Sequence, residues 1–368
     1  MSEHLTRVRD WLERFVAAGE IAGGAVAAAR GGQQAVEIYS GEAAPGRAAS
    51  PKTLWPLASI SKSYTAAMVM AAMVMAAVER GYVTLSMRVS EIFPEFTAEG
   101  RDAITLRHLL THTSGLIYES PEMEERLKAQ TPIDAILREA HSGPLLFKPG
   151  TALSYSDYGY GLAGWMTAAA IGRPFAELVD EFVLQPAGLR DTFMPPPPDE
   201  YGRLAHVKGP LGEGTEGAMY NAPYALALAH PSFGTVASAN DLLRFGLLFA
   251  PGGTRHIHSA ATVRAMTTDQ TGGRAPGMMP GFDDPAGPPA PWGIGFSIQS
   301  PQMRAPYGDL APVGTCGHGG ASGCRLIIDL EDDIVIAIVT NTHARMGRER
   351  WMQRLDIVSN GVMAALTD

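Results

Sequence analysis

Strand-forming segments stand at both ends of this 368-residue chain, while the long stretch between them reads mostly as helix and loop. Near the start, Gly24-Ala25-Val26-Ala27-Ala28-Ala29 and Gln34-Ala35-Val36-Glu37-Ile38-Tyr39 flank Arg30-Gly31-Gly32, which predicts a hairpin. Near the end, Arg325-Leu326-Ile327-Ile328-Asp329 and Ile334-Val335-Ile336-Ala337-Ile338-Val339 flank an acidic turn at Glu331-Asp332-Asp333. Helical spacing brackets both pairs, with Leu5, Val8, Leu12, Phe15 and Val16 before the first and Met352, Leu355, Val358, Val362 and Leu366 after the second. The simplest architecture is an antiparallel sheet built from both termini and flanked by helices, an α/β (α+β) fold interrupted by a helical insertion. On this reading, residues 1–60 and 225–368 form a discontinuous sheet domain, and residues 61–224 a mostly helical one. Trp292-Gly293-Ile294-Gly295-Phe296-Ser297-Ile298 is a further strand candidate. The Pro- and Gly-rich stretch before it, residues 267–291, is either a surface connection or a loop lining a site.

Bulk properties exclude several functions. With 46% hydrophobic and 18% charged residues, the chain has the balance of a soluble globular protein with a sizeable core. A net charge of −9 and 29 dispersed Lys and Arg argue against nucleic acid, whose phosphates require clustered cations. The longest apolar run, residues 66–78, is shorter than the roughly 20 residues a bilayer span needs, so no membrane association is expected. Two cysteines make no disulfide framework, and the start, Met1-Ser2-Glu3-His4-Leu5-Thr6-Arg7, lacks an apolar export signal. A cytoplasmic location is the resulting expectation. The sequence leaves the oligomeric state undetermined.

Chemistry is suggested first by Ser59-Ile60-Ser61-Lys62. Residues three apart on a helix are surface neighbours, so the Ser59 hydroxyl and the Lys62 amine can come within hydrogen-bond reach, as a nucleophile and its base require. Ser61 and Ser63 read as ordinary helix residues. The pair opens a run containing a direct tandem copy, Ala66-Ala67-Met68-Val69-Met70 followed by Ala71-Ala72-Met73-Val74-Met75. Five inserted residues lengthen a helix by about 7.5 Å and rotate the residues beyond them by about 140°; a longer helix or a bulge would each absorb them. The methionines read as core rather than as a functional stripe.

Four further segments come in order: Thr105-Leu106-Arg107-His108-Leu109-Leu110-Thr111-His112-Thr113-Ser114-Gly115-Leu116, then Phe147-Lys148-Pro149-Gly150, Tyr155-Ser156-Asp157 and Gly317-His318-Gly319-Gly320. With Ser59-Ile60-Ser61-Lys62 they resemble the serine β-lactamase-like superfamily, in the branch holding class C β-lactamases, D-alanyl-D-alanine carboxypeptidases, D-aminopeptidases and family VIII carboxylesterases. The similarity spans about residues 20–345. It implies a nucleophile at Ser59, a base at Lys62 and a proton-relaying phenol at Tyr155. It also implies an oxyanion hole from the Ser59 and Ala321 amides, each donor being worth about 3 kcal/mol in the transition state. Substrate would lie along His318, Gly319 and Gly320, near Asp157, in a site between the two domains.

Two positions depart from the family pattern. Many relatives carry Lys where this chain has His318, so a permanent positive charge that engages a substrate carboxylate is replaced by a group titrating near neutrality. Most relatives carry Asn where this chain has Asp157, and an ionised Asp cannot donate to an acylamide. A carboxylate near Lys62 would also raise the lysine's pKa, unless Asp157 is turned away or protonated.

These departures point to carboxylic ester hydrolysis through an acyl-enzyme. A β-lactamase, a D-amino-acid amidase or peptidase, an acyltransferase and a non-catalytic penicillin-recognition-like binding module are the alternatives. The expected partner is a small-molecule ester, or else an amide or lactam, with no cofactor. No metal is expected, because Cys316, His318 and Cys324 fit no common zinc spacing. The two cysteines could face each other across a hairpin or remain buried thiols. His256-Ile257-His258 is a weak metal signal, His112 reads as a turn organiser, and Asp283-Asp284 as a solvated turn.

Overall fold

A computed structural model describes residues 3–79, 83–209, 218–274, 291–301, 307–344 and 348–367. The terminal segments form the sheet. Its strands are β1 (Gly23–Arg30), β2 (Gln33–Ala44) and β3 (Arg47–Ala48) from the start of the chain. Next come β4 (Trp55–Pro56), β5 (Thr192–Phe193) and β6 (Val236–Ala237), which make a separate small sheet in the order β4-β6-β5. Then β7 (Ser297–Ile298), β8 (Cys316–Gly320), β9 (Cys324–Asp329) and β10 (Ile334–Thr340) complete a seven-stranded antiparallel sheet in the order β3-β2-β1-β10-β9-β8-β7. First and last strands meet at its centre, with Val26 opposite Ile338 and Ala28 opposite Ile336.

Both faces of the central strands β1, β9 and β10 are covered, which explains their near-continuous apolar sequence. On the outer face Val26, Ala28, Ile336 and Ile338 share a core with Val8, Leu12 and Phe15 of α1 (Glu3–Ala17) and with Leu355, Val358 and Val362 of the helix Arg348–Thr367. On the inner face, one residue out of phase, Ala25, Ala27, Val335, Ala337 and Val339 pack in a core with Tyr64, Val69, Leu242 and Phe245. That period of two is the strand signature realised on both sides at once. The inner layer includes α2 (Ser61–Glu79) and the helix Ala239–Leu247.

The tandem repeat lies within the single helix α2. Its first copy is wholly buried, and the second runs outward, from Ala71 and Ala72 in the core to Val74 at 45% exposure. The segment 292–298 corrects the sequence reading: only Ser297–Ile298 is strand, while Trp292 makes an isolated bridge to Ser297 and the chain turns between them. Gly295 has φ +91 and lies where a Cβ would come within 2.5 Å of the Ala66 Cβ, so the backbone turns against α2 instead of extending. Cys316 and Cys324 are buried free thiols; they stand at opposite ends of the β8–β9 pairing, Cys316 opposite Ile328 and Cys324 opposite Gly320, and do not face each other. Most of the 267–291 stretch, including Asp283-Asp284, lies outside the described residues. Among the described residues no helix is long and apolar enough to cross a membrane, and no cluster of three metal-ligating side chains occurs.

Candidate active site

Ser59 lies in a one-turn 3-10 segment, Ala58–Ile60, that leads directly into α2. Ala58, immediately before it, has φ 48, a left-handed conformation uncommon for a residue with a side chain. The surrounding structure holds it there. Thr235 grips the turn through both backbone groups, its carbonyl accepting from Leu57 N at 2.9 Å and its N–H donating to Ser61 Oγ at 2.9 Å. On the other side β8 lies directly against the turn, since a Cβ on Gly320 would fall 2.2 Å from the Leu57 carbonyl oxygen. Ala321 comes next and packs with Ala58, Val207, Met219 and Tyr220. Ser61 and Ser63 are more than ordinary helix residues: Ser63 Oγ donates to Gly295 O at 2.7 Å, fixing the turn that carries Trp292.

Lys62 is fully buried, one helical turn from Ser59. Its Nζ is 3.3 Å from Ser59 Oγ and 3.2 Å from the Ser232 carbonyl oxygen, and it forms an ion pair with Asp157. Asp157 therefore faces the lysine. Burial pushes the Lys62 pKa below the ordinary lysine value, while Asp157 and then Glu119 pull it upward without reversing that direction. Nζ donates to Ser59 Oγ and to the Ser232 carbonyl with Asp157 as its counter-ion, and loss of one proton from Nζ would leave a lone pair facing Ser59 Oγ. Asp157 is thus the counter-ion of the amine and raises its proton affinity.

Tyr155 precedes the helix Asp157–Ile171, whose first turn is capped by Ser156 Oγ accepting from Gly159 N at 3.0 Å. The phenol lies near enough to Ser59 for the serine to act on its pKa, and Lys62 Nζ lies 4.6 Å from the centre of its ring. Burial, and after it the charge of Asp157, pushes the Tyr155 pKa well above its ordinary value, so the group is a phenol and not a phenolate at neutral pH.

His112 clamps the tyrosine from both sides. Its carbonyl accepts from Ser154 N at 2.8 Å, its Nδ1 accepts from Ser156 N at 3.0 Å, and its ring stacks on Tyr155 at 4.4 Å. With Nδ1 accepting, the neutral ring carries its proton on Nε2, and burial holds its pKa well below the usual histidine value.

His318 closes the site 6.1 Å from the Tyr155 ring and 5.6 Å from Trp292. Its sequence context suggests titration near neutrality, and the structure corrects this: burial first, then the charge of Lys62, depresses its pKa to about 3. Gly319 faces open space, with nothing within 4 Å of where its Cβ would be. Two contributors carry no sequence signal of a site role. Ser232 acts through its carbonyl, which no side-chain motif reveals, and its hydroxyl donates to Asp157 O at 2.6 Å. Trp292 packs edge-on against His112, Tyr155 and His318 from a segment of strand-like composition.

Comparison with known proteins identifies the family. Residues 8–359 match the Beta-lactamase family, and the chain belongs to that family as a serine hydrolase. Esterase EstB of Burkholderia gladioli is 31% identical over 329 residues, covering 81% of this chain and 79% of that protein. A beta-lactamase of Providencia stuartii is 26% identical over 244 residues, 65% of this chain and 58% of that one. Among solved structures, EstCE1, described as a hydrolase with promiscuous acyltransferase activity, superposes with a TM-score of 0.77 at 25% identity, covering 97% of this chain and 99% of that one. A family VIII carboxylesterase shares the fold, with a TM-score of 0.76 at 22% identity over 98% of both chains.

Proposed function

We propose that this chain is a carboxylesterase acting on small to medium acyl esters through an acyl-enzyme on Ser59. The site lies between a sheet lobe, residues 1–60 with 225–368, and a mostly helical lobe, residues 61–224. Neutral Lys62 takes the Ser59 proton as Oγ bonds to the ester carbonyl carbon. The resulting oxyanion is held by the Ser59 and Ala321 amides. Collapse breaks the bond to the alcohol oxygen, which takes its proton from Tyr155, and the phenol is restored by the proton on Lys62. Water then attacks the acyl carbon by the same groups in reverse order, releasing the acid and freeing Ser59.

The observation that carries this reading is the Lys62 amine, buried 3.3 Å from Ser59 Oγ and held by the Ser232 carbonyl and the charge of Asp157. Ester over lactam is favoured by the neutral His318 and the carboxylate of Asp157, which together offer no fixed cation to a substrate carboxylate. Similarity to EstB over four-fifths of the chain points the same way. The test is pre-steady-state kinetics with p-nitrophenyl butyrate beside nitrocefin. A burst of nitrophenolate equal to the enzyme concentration, abolished in Ser59→Ala, with nitrocefin turned over far more slowly, is the expected result. Faster nitrocefin turnover would replace the esterase reading with a β-lactamase one.

A further inference from the structure

His318 lies on the face of β8 that meets the nucleophile turn. Alternation puts Cys316, His318 and Gly320 on one side; Cys316 joins the inner core and Gly320 abuts Leu57, whereas Gly317 faces Tyr307 and the outer layer. The imidazole is 4% exposed, between Tyr155 and Trp292. Its Nδ1 is 2.7 Å from the Gly319 carbonyl oxygen, and because a carbonyl only accepts, Nδ1 carries the proton. The depressed pKa keeps the ring neutral, so Nε2 is a lone pair. That atom is buried and has no hydrogen-bond partner among the described residues. A buried acceptor left unpaired is unfavourable, and a bound donor would relieve it.

The strand gives the two halves of an ester different surroundings. Its Ala321 end adjoins the apolar group of Ala58, Val207, Met219 and Tyr220, which suits an acyl chain. Its His318 end adjoins Tyr155, the group that protonates the departing alcohol, so the alcohol half lies beside His318.

We propose that His318 reads the alcohol half, its Nε2 accepting a hydrogen bond from a hydroxyl or protonated amine carried by that alcohol, so that monoesters of diols and amino alcohols are preferred. This rests on the esterase reading above. A carboxylate on the alcohol would meet the Nε2 lone pair with no hydrogen to donate and is therefore disfavoured there.

The test compares butyrate esters of closely matched alcohols at pH 7 by pH-stat: propyl, 2-hydroxyethyl, 2-(dimethylammonio)ethyl and 2-carboxyethyl, with choline butyrate as a cation lacking an N–H. The hydroxyl and ammonio esters should exceed propyl butyrate by about tenfold in kcat/KM, the gain from one hydrogen bond to a buried acceptor. Choline butyrate should not reach that gain, and the carboxyl ester should fall below propyl. In His318→Leu the donor-to-propyl ratio should fall to near one, and His318→Gln, with an amide oxygen in place of the lone pair, should retain part of it. A wild-type ratio within twofold, or a ratio unchanged in His318→Leu, overturns the proposal, and the wild-type panel decides even if neither variant folds. If propyl butyrate turns over through Ser59 while the panel is flat, the esterase reading survives alone; if no butyrate acylates Ser59, both fall.

Discussion

Replacing Asp157 with Asn removes a charge from Lys62 while keeping an oxygen to accept its N–H, so the substitution isolates the electrostatic part of the pair. Two unit charges about 4 Å apart at an effective dielectric near 20 attract by about 4 kcal/mol, which sets the scale of the effect. Glu119 still acts on Lys62 in the variant, and the amide oxygen replaces part of the lost hydrogen bond. The expected shift is therefore downward. In the proposed mechanism only the neutral amine accepts the Ser59 proton, so acylation rises with pH through the Lys62 pKa and levels off above it. Asp157→Asn should move that rising limb toward acid and lower the plateau modestly, because a less basic amine is a weaker base. Stopped-flow acylation by p-nitrophenyl butyrate between pH 4 and 9 measures both features. A limb that stays in place, or moves toward alkali, would show that Lys62 is not the titrating base or that Asp157 does not hold its proton.

The remaining expectations concern stability and local packing. His112, His230, His258 and His318 are buried, with pKa values driven down mainly by desolvation, to about 3 for His230 and His318 and about 4 for His258. The unfolded chain therefore binds protons below about pH 6.5 that the folded chain refuses. The stability these rings contribute is full above that pH and is lost as pH falls through their folded values, by about 2 kcal/mol for each of His230, His258 and His318 at pH 5. Urea midpoints measured from pH 8 to 5 should fall steeply below 6.5, and a flat profile would contradict their burial as neutral groups. Gly320→Ala should destabilise by about 2 kcal/mol or more, because its Cβ would meet the Leu57 carbonyl at 2.2 Å, whereas Gly319→Ala, with open space there, should leave the melting temperature within a few degrees. Deleting residues 71–75 slides Ala76 and Ala77 into the buried places of Ala71 and Ala72 and puts Glu79 in place of exposed Val74. The shortened protein should fold with a small loss in melting temperature; failure to fold would show that the connection to Val83 needs the full helix.

Much of the sheet was legible because its strands are long, apolar and bounded by clear turns, as around Gly31-Gly32 and Glu331-Asp332-Asp333. The two-residue strands β3 to β7 carry no period to read, and the 292–298 segment has strand composition but is turned by Gly295 against α2. At the site, Ser59, Lys62 and Tyr155 were visible as residue types in order, and the structure brings them together. Spacing could not reveal the features that depend on tertiary burial. His318 has the sequence context of a neutral-pH titrator, and only its enclosure between Tyr155 and Trp292 removes that property; Asp157 is ambiguous until it is placed facing Lys62. Ser232 contributes a backbone oxygen, so its identity carried no signal at all.

The central claim is that Ser59 becomes acylated by an ester. Intact-protein mass spectrometry after rapid acid quench with p-nitrophenyl butyrate, combined with peptide mapping, tests it directly. The account predicts a single butyryl adduct on the peptide containing Ser59, absent in Ser59→Ala and accumulating in Tyr155→Phe if deacylation slows more than acylation. An adduct on another residue, or ester turnover persisting unchanged in Ser59→Ala, would contradict it.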